Sequence, residues 1–255
     1  MASHGEKPRF GYWDGTWAAA GGDYSLREIL SDISRSRYDG VELGSSLDFL
    51  GPADELKQAL VEFRLEMASL VVPTLAADAT LRVDYAAQFG IGVLMVGGGA
   101  RPTGRLVEAS DMAPYAKALS GLAAHAGKYG MALAQHTHPA SVTATTDEAL
   151  MLLDQVPDNV GICLDIAHAQ QAGDDPVRAV HRLGHRLRHV HLKDYRRETD
   201  ELLELGQGEV DIAGVMQACR GIGYQGWYTI ELDQSRTTPF ASACASRAHL
   251  QRLGY

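Results

Sequence analysis

The stretch VGICLDIAHAQQAGDDPVRAVHRLGHRLRHVHLKD (residues 160–194) contains the repeating unit of this chain. Two short apolar runs, 160–165 and 187–193, enclose a segment with helical spacing that starts where Asp175 precedes Pro176. An N-cap residue followed by proline is a typical start of a helix. The stretch therefore predicts a strand, a helix and a second strand, which is the building unit of parallel sheets.

The same alternation extends outward from this unit to both ends of the chain. Strands are predicted at 9–13, 40–44, 66–73, 93–97, 131–138, 160–165, 187–193 and 227–232. Each is followed by a predicted helix, at 25–36, 53–65, 80–89, 114–129, 145–156, 175–186, 211–222 and 241–253. Eight units in 255 residues, without a GxGxxG turn after the first strand, favour a single (β/α)8 TIM barrel over a doubly wound sheet.

One domain accounts for the whole alternation. We expect residues 1–8 to be a flexible leader and residues 9–255 to form the barrel, since no linker or low-complexity tract interrupts the pattern. The leader contains Lys7 but no apolar run after it, which is unlike a secretion signal. The sequence therefore predicts a cytoplasmic protein.

Composition excludes several classes of partner. The net charge is −9 and no basic run is longer than Arg196-Arg197, which is unlike a nucleic-acid-binding protein. No apolar run approaches the roughly 18 residues of a membrane span. Three widely spaced cysteines, Cys163, Cys219 and Cys244, fit neither a disulfide framework nor a zinc motif. A small-molecule substrate is the expected partner. The sequence leaves open whether the protein forms a homo-oligomer.

Residue parity on the last four strands predicts a cluster of side chains. Barrel strands alternate between the interior and the helices, and functional groups lie at the carboxyl ends. Because Ile162 and Leu164 share the helix-facing parity, Asp165 faces inward at the top of strand six. The same test applied to strands five, seven and eight completes an inward set at one end: His136, Asp165, His191 and Glu231.

A mixed set of imidazoles and carboxylates is typical of a divalent metal site. It suits Mn²⁺, Fe²⁺, Co²⁺ or Zn²⁺ better than Mg²⁺ or Ca²⁺, and the ligand set does not choose among those four. Taken singly, each residue has an ordinary structural role as a cap, an ion pair or a core histidine. Their coincidence on four consecutive strands favours the metal. Glu42, inward on strand two, is either a substrate contact or a polar group at the barrel floor.

Several motifs resemble one known family. They are GVEL (40–43), QHTH (135–138), GICLDIAHAQQAG (161–173), HVHLKD (189–194), ELGQGEVD (204–211) and GYQGWYTIELDQ (223–234). In combination they resemble the sugar phosphate isomerase/epimerase superfamily of xylose isomerase-like TIM barrels, and most of all its inosose dehydratase branch. The match is dense in the C-terminal half and weak in the N-terminal half.

The resemblance implies roles for individual residues. Asp165, His191 and Glu231 would ligate the metal, and His168 would touch a substrate hydroxyl. Ketose epimerases of the superfamily carry a glutamate on strand five, whereas this chain has Gln135 or His136 there. Parity favours His136, and the two-glutamate proton shuttle of those relatives cannot be carried over.

The expected function is that of a metal-dependent isomerase/epimerase or dehydratase. It would act on a keto-sugar or inosose-like keto-polyol through an enediolate, with Mn²⁺ as the working choice and Co²⁺, Fe²⁺ or Zn²⁺ as alternatives. Catalytic candidates are Glu231 as base, Lys193 as acid or base, and His138, which parity places beside the ligands; His168 is a further candidate. A single glutamate near the metal favours elimination over two-base epimerisation.

Two questions stay open at this stage. A phosphate could bind to the arginines of the predicted loops, Arg196, Arg197 and Arg236, so both phosphorylated and free substrates fit the sequence. The alternative function is a barrel that binds a sugar or metal without turnover, as a sensor or as one subunit of a heteromeric enzyme.

Overall fold

A computed structural model describes residues 7–73, 75 and 78–255, and its main feature is a closed barrel of parallel strands. In chain order the strands are β1 (Arg9–Trp13), β2 (Gly40–Leu43), β3 (Glu66–Val72), β4 (Val93–Val96), β5 (Ala132–His136), β6 (Val160–Asp165), β7 (Leu187–Leu192), β8 (Asp194–Arg196), β9 (Glu201–Leu203) and β10 (Trp227–Ile230). β8 and β9 form a small separate hairpin, and the other strands form the barrel. β1 pairs with both β2 and β10, which closes the barrel. The predicted (β/α)8 TIM barrel is confirmed.

The helices surround the barrel. They are α1 (Gly15–Ala19), α2 (Leu26–Arg35), α3 (Leu47–Leu50), α4 (Ala53–Phe63), α5 (Ala79–Ala86), α6 (Ala109–Gly127), α7 (Thr146–Leu153), α8 (Ile166–Gln171), α9 (Pro176–Leu183), α10 (Ile212–Gly221) and α11 (Pro239–Arg252). The 3-10 turns Ala87–Phe89 and Gly184–Arg186 extend α5 and α9. Within the described residues, no helix has both the length and the apolar character that crossing a membrane requires.

Helix α6 begins earlier than predicted. The expected start was residue 114, because proline is common in the first turn of a helix. In the structure, Glu108 and Asp111 form a reciprocal capping box that starts the helix at Ala109, so Pro114 lies inside it. The cost is one missing backbone hydrogen bond.

Parity separates two apolar layers, as the sequence predicts. Ile162 and Leu164 belong to the large core between strands and helices. Cys163, between them in sequence, lies in a small interior cluster with Ala134 and Met95. The interior is therefore only partly filled with apolar side chains, and the remaining inward positions are polar.

The predicted leader falls mostly outside the described residues, since the structure describes only positions 7 and 8 of that segment. The barrel begins at Arg9, where the predicted domain begins.

Candidate metal centre

Four side chains from four neighbouring strands meet at the carboxyl end of the barrel. His136, Asp165, His191 and Glu231 each offer a ligand atom, and these atoms all lie within 4.8 Å of one another. His136 Nε2 lies 3.2 Å from His191 Nδ1, 3.5 Å from Glu231 Oε2 and 3.6 Å from Asp165 Oδ2. All four residues are buried. The structure thus brings together the residues that parity selected.

Asp165 is held by the helix that follows it. Its Oδ1 accepts the backbone N–H groups of Ala167 and His168, both at 2.9 Å, and so caps α8. Its Oδ2 is buried and, among the described residues, has no hydrogen-bond partner. Lys193 Nζ lies 3.2 Å from this oxygen and compensates part of its charge, but one ammonium faces two carboxylates here. The two carboxylates and two imidazoles converge within 4.8 Å, which is the kind of mixed ligand set that a divalent transition metal uses. The residues present therefore fit a divalent ion.

Glu42 orients His191 from the opposite side of the barrel. Glu42 Oε1 lies 2.8 Å from His191 Nε2, which leaves His191 Nδ1 pointing at the cluster. A carboxylate that accepts the remote N–H of a metal-binding histidine fixes its tautomer and strengthens its basicity. Glu42 Oε2 lies 2.9 Å from His189 Nε2 but receives no well-aligned hydrogen bond, because His189 Nε2 also lies 2.9 Å from Thr229 Oγ1.

The geometry favours one of the two alternatives for Glu42. The residue is completely buried and both carboxylate oxygens contact imidazoles. Burial opposes ionisation, but His191 and His189 bring the pKa of Glu42 down to about 2. The geometry therefore favours a polar group of the barrel interior over the expected substrate contact, because Glu42 is fully buried and does not line the cavity beside His136 and His138. Glu42, His189 and His191 also lie close enough for a metal, but that group offers one carboxylate, whereas the four-residue cluster offers two.

Lys193 places a buried ammonium beside the cluster. Its Nζ lies 2.8 Å from Asp233 Oδ2, 3.1 Å from Glu231 Oε2 and 3.2 Å from Asp165 Oδ2. Burial opposes the charge, but Asp165, Glu231 and Asp233 hold the pKa of Lys193 above its ordinary value. Lys193 is thus a protonated donor at neutral pH.

The two acidic residues of the cluster are ionised at neutral pH. Burial opposes their charge, but His168 and Lys193 lower the pKa of Asp165, and Lys193 with His191 lowers the pKa of Glu231 well below its ordinary range. Two negative charges and two imidazoles form a suitable set for a divalent transition metal.

His168 and His138 lie above the cluster, with ring centroids 4.7 Å apart. His168 Nε2 lies 3.3 Å from Lys193 Nζ and its Nδ1 lies 3.2 Å from Gln171 Oε1. His138 is half-buried, and its Nδ1 accepts the Ala140 N–H at 3.1 Å, which leaves the proton on Nε2. Burial lowers the pKa of both rings, so both are neutral at neutral pH.

Strand β5 presents His136 and not Gln135 to the cluster. The Gln135 side chain hydrogen-bonds instead with the Tyr115 hydroxyl at 2.5 Å and with Thr143 Oγ1 at 3.3 Å. These contacts hold Gln135 on the other side of the strand, which is the arrangement that parity favours.

Sequence reasoning missed Trp13. It ends β1, pairs in register with Glu42, and packs against the interior cluster. Its indole Nε1 is buried, has no hydrogen-bond partner in the described part of the chain, and lies against Gly44, where an added Cβ would be 2.7 Å away. The signal was present, since Gly11 and Trp13 share the inward parity of β1.

A cavity of about 710 Å³ opens beside His136 and His138. Its other walls include Tyr115, Asp111 and the glycines at 97–99, and none of the described residues lining it is lysine or arginine. Two of the three loop arginines have protein partners: Arg236 pairs with Glu201, and Arg196 Nη2 donates to the Gln207 carbonyl at 2.6 Å. No cationic side chain thus faces this cavity from its described walls.

The closed barrel and the polar cluster at its carboxyl end define the class: a (β/α)8 barrel with a candidate metal centre. Comparison with known proteins identifies the family. Residues 30–253 match the family model described as xylose isomerase-like TIM barrel. Because the match covers most of the chain, the chain belongs to this family.

Among curated relatives, the chain is 26% identical to the rhizopine catabolism protein MocC of Rhizobium meliloti, with 91% of this chain and 83% of that protein covered. It is 25% identical to the inosose dehydratase of Geobacillus kaustophilus strain HTA426, with 91% and 89% covered. Among solved structures, the IOLI protein with a bound zinc atom has a TM-score of 0.77 at 17% identity, with 96% of this chain and 97% of that chain covered.

Proposed function

We propose that this chain is a divalent-metal-dependent lyase that removes a proton beside the carbonyl of an uncharged keto-polyol and expels the β-hydroxyl as water. The observation that carries the proposal is the convergence of four buried ligand atoms, from His136, Asp165, His191 and Glu231, within 4.8 Å of one another. A divalent ion held by these four residues would polarise the carbonyl and acidify the adjacent C–H bond. Mn²⁺ is our choice of ion, and the zinc of the IOLI structure supports Zn²⁺ as the alternative.

Glu231 and Lys193 are suited to the two proton transfers. Glu231 is ionised and would accept the proton from carbon, while Lys193 is protonated and would donate one to the departing hydroxyl. The two transfers balance in protons, because Glu231 gains the one that carbon loses and Lys193 gives one to the departing hydroxyl; exchange with solvent after product release would restore both groups. This pairing of one base with one acid supports elimination over a two-base epimerisation.

His138 and His168 are proposed to hold the substrate. The proton on His138 Nε2 suits donation to a substrate oxygen, and His138 lines the cavity. His168 lies between His138 and Lys193, where a substrate hydroxyl would find both donors and acceptors. Two neutral imidazoles can give and accept hydrogen bonds with hydroxyl groups without attracting a charged ligand.

The charge of the cavity supports a free polyol over a sugar phosphate. Recognition of a phosphate normally requires lysine or arginine, or a helix N-terminus, beside it. The described cavity walls carry no lysine or arginine, and the first turn of α6, which lines the cavity, carries the carboxylate of Asp111, whose Oδ2 already accepts the Glu108 N–H at 2.8 Å. The inosose dehydratase among the relatives, whose printed name specifies an inosose, is consistent with an uncharged substrate.

Solvent exchange tests the proposal directly. An inosose is incubated with the protein and Mn²⁺ in D₂O and followed by NMR, with other keto-polyols and ketoses in parallel. We expect loss of the α-hydrogen signal together with a dehydrated product. Lys193→Ala should keep α-hydrogen exchange while elimination falls by about 10² to 10⁴. The exposed Lys117→Ala is the matched control.

The same experiment separates the alternatives. Exchange with a new stereoisomer or positional isomer and no elimination would replace the lyase by an epimerase or isomerase. No exchange into any substrate, with Mn²⁺, Co²⁺ or Zn²⁺ present, would favour a barrel that binds without turnover.

A further inference from the structure

A second cavity lies at the amino end of the barrel, opposite the candidate metal centre. Its volume is about 650 Å³, and its walls include the first residues of three strands, Arg9, Glu66 and Trp227. His189 of β7 forms part of its lining. The amino end of such barrels ordinarily serves stability, so a cavity of this size there calls for a physical explanation.

Glycines on the strands make room at this end. A Cβ at Gly40 would lie 2.8 Å from the Trp227 ring, and a Cβ at Gly161 would clash with the Arg188 side chain. Two large side chains therefore lie across glycine backbone at the barrel floor, where branched aliphatic side chains usually fill the interior. They form one wall that is aromatic and one that is cationic.

Arg188 is the cation without a counterion. Within residues 7–73, 75 and 78–255, no carboxylate oxygen lies within 4.0 Å of its guanidinium, and its Nη2 donates to the Asp158 carbonyl at 3.2 Å. Its Nε is buried without a hydrogen-bond partner in that same part of the chain. A buried unsatisfied N–H of a charged group is costly, and an anion in the cavity would remove this cost.

The other two cationic side chains of the lining already have carboxylate partners. Arg9 pairs with Glu66 at 3.3 Å and Lys57 pairs with Asp54 at 3.0 Å, so Arg188 is the cation of the lining that no carboxylate of the described residues pairs with. The Arg9 guanidinium lies 4.4 Å from the Trp227 ring centroid, and Lys57 Nζ lies 5.7 Å from that of Phe89. Apolar walls with a few converging cations are typical of a site for a small organic anion.

We infer that this cavity binds a small carboxylate with a flat apolar body, whose carboxylate pairs with Arg188 and whose body packs against Trp227 and Phe89. A guanidinium pairs with a planar carboxylate through two parallel hydrogen bonds, which would use the free Nε. The site is separate from the proposed substrate cavity, because the two open at opposite ends of the barrel.

Benzoate and benzamide are the probes, titrated into the metal-free 255-residue chain by isothermal calorimetry and ligand-observed NMR. They share a ring, but only benzoate is an anion. Benzoate should bind saturably at one site and at least about tenfold more tightly than benzamide. Arg188→Met should weaken benzoate by at least about tenfold, while Arg178→Met, an exposed arginine on α9, should leave it unchanged.

A charge-reversal pair keeps the test valid if Arg188→Met does not fold. Val61 lines the cavity and is 79% exposed, so it tolerates polar substitution. Val61→Glu should weaken benzoate and Val61→Lys should strengthen it. Equal affinity for benzoate and benzamide, indifference to both Val61 variants, or absence of saturable binding would each overturn the inference. None of these results depends on activity at the metal centre.

Discussion

Replacing Glu42 with glutamine removes one negative charge from a residue that never touches the proposed metal. The amide oxygen of the introduced glutamine can still accept from His191 Nε2, so the change isolates the charge of a buried contact of 2.8 Å. Hydrogen bonds to charged groups contribute about 1.5 to 3 kcal/mol, and removing a carboxylate behind a metal-binding histidine costs about 10- to 100-fold in affinity. We therefore expect a loss of about 1.4 to 2.8 kcal/mol in metal binding.

The assay is titration of the apo-protein with Zn²⁺ or Mn²⁺ in competition with a chromophoric chelator. Glu55→Gln, an exposed position on α4, is the matched control because it removes the same charge away from the barrel interior. Circular dichroism establishes that both variants keep the fold. Metal affinity of Glu42→Gln within about twofold of the parent would refute the orienting role of Glu42.

Three further predictions concern the metal, the proton donors and the buried acid Asp14, whose carboxylate accepts the backbone N–H groups of Gly44 and Ser45 after β2. Elemental analysis should find no bound metal in Asp165→Asn, but should find it in Lys193→Ala and His138→Ala. The turnover rate of the latter two should fall by about 10²- to 10⁴-fold. Rates like those of the parent in both would leave Glu231 as the sole acid/base group. Chelation should abolish activity, and Mn²⁺ or Co²⁺ should restore it better than Ca²⁺; full activity after EDTA and dialysis would remove metal from the mechanism. Burial raises the pKa of Asp14 to about 6, above its unfolded value, so its ionisation destabilises the fold as pH rises from about 4 to about 6. The asparagine of Asp14→Asn can accept the N–H of Gly44 or of Ser45 but not both, which gives a cost that does not depend on pH. The effect of Asp14→Asn on the free energy of unfolding in urea should therefore be more favourable at pH 7 than at pH 4 by up to about 3 kcal/mol, and an effect that does not change with pH would contradict the pKa shift.

The fold could be predicted because barrel strands carry a strong periodic signal. β1 and β6 have the predicted bounds, and the other barrel strands end between one and two residues before the predicted carboxyl ends. The hairpin β8 and β9 has strands of three residues, too short to show alternation. The short helix α8 was not predicted. Its N-cap, Asp165, is also the last residue of β6, so the sequence was interpreted as a strand end and not as a helix start.

Parity predicts the direction of a side chain but not its partners. It placed His136, Asp165, His191 and Glu231 on one face, and the structure brings them together. It could not predict that Asp165 uses one oxygen to cap α8 and directs the other at the cluster, 3.2 Å from Lys193 Nζ. The contact of Glu42 with His191 spans 149 positions of sequence, and it depends on the closure of the barrel.

Anomalous diffraction from crystals grown with Mn²⁺ tests the metal centre most directly. We predict one peak bonded to His136 Nε2, Asp165 Oδ2, His191 Nδ1 and Glu231 Oε2 at about 2.0 to 2.3 Å. A peak bonded instead to Glu42, His189 and His191, or no peak within the barrel, would contradict the account.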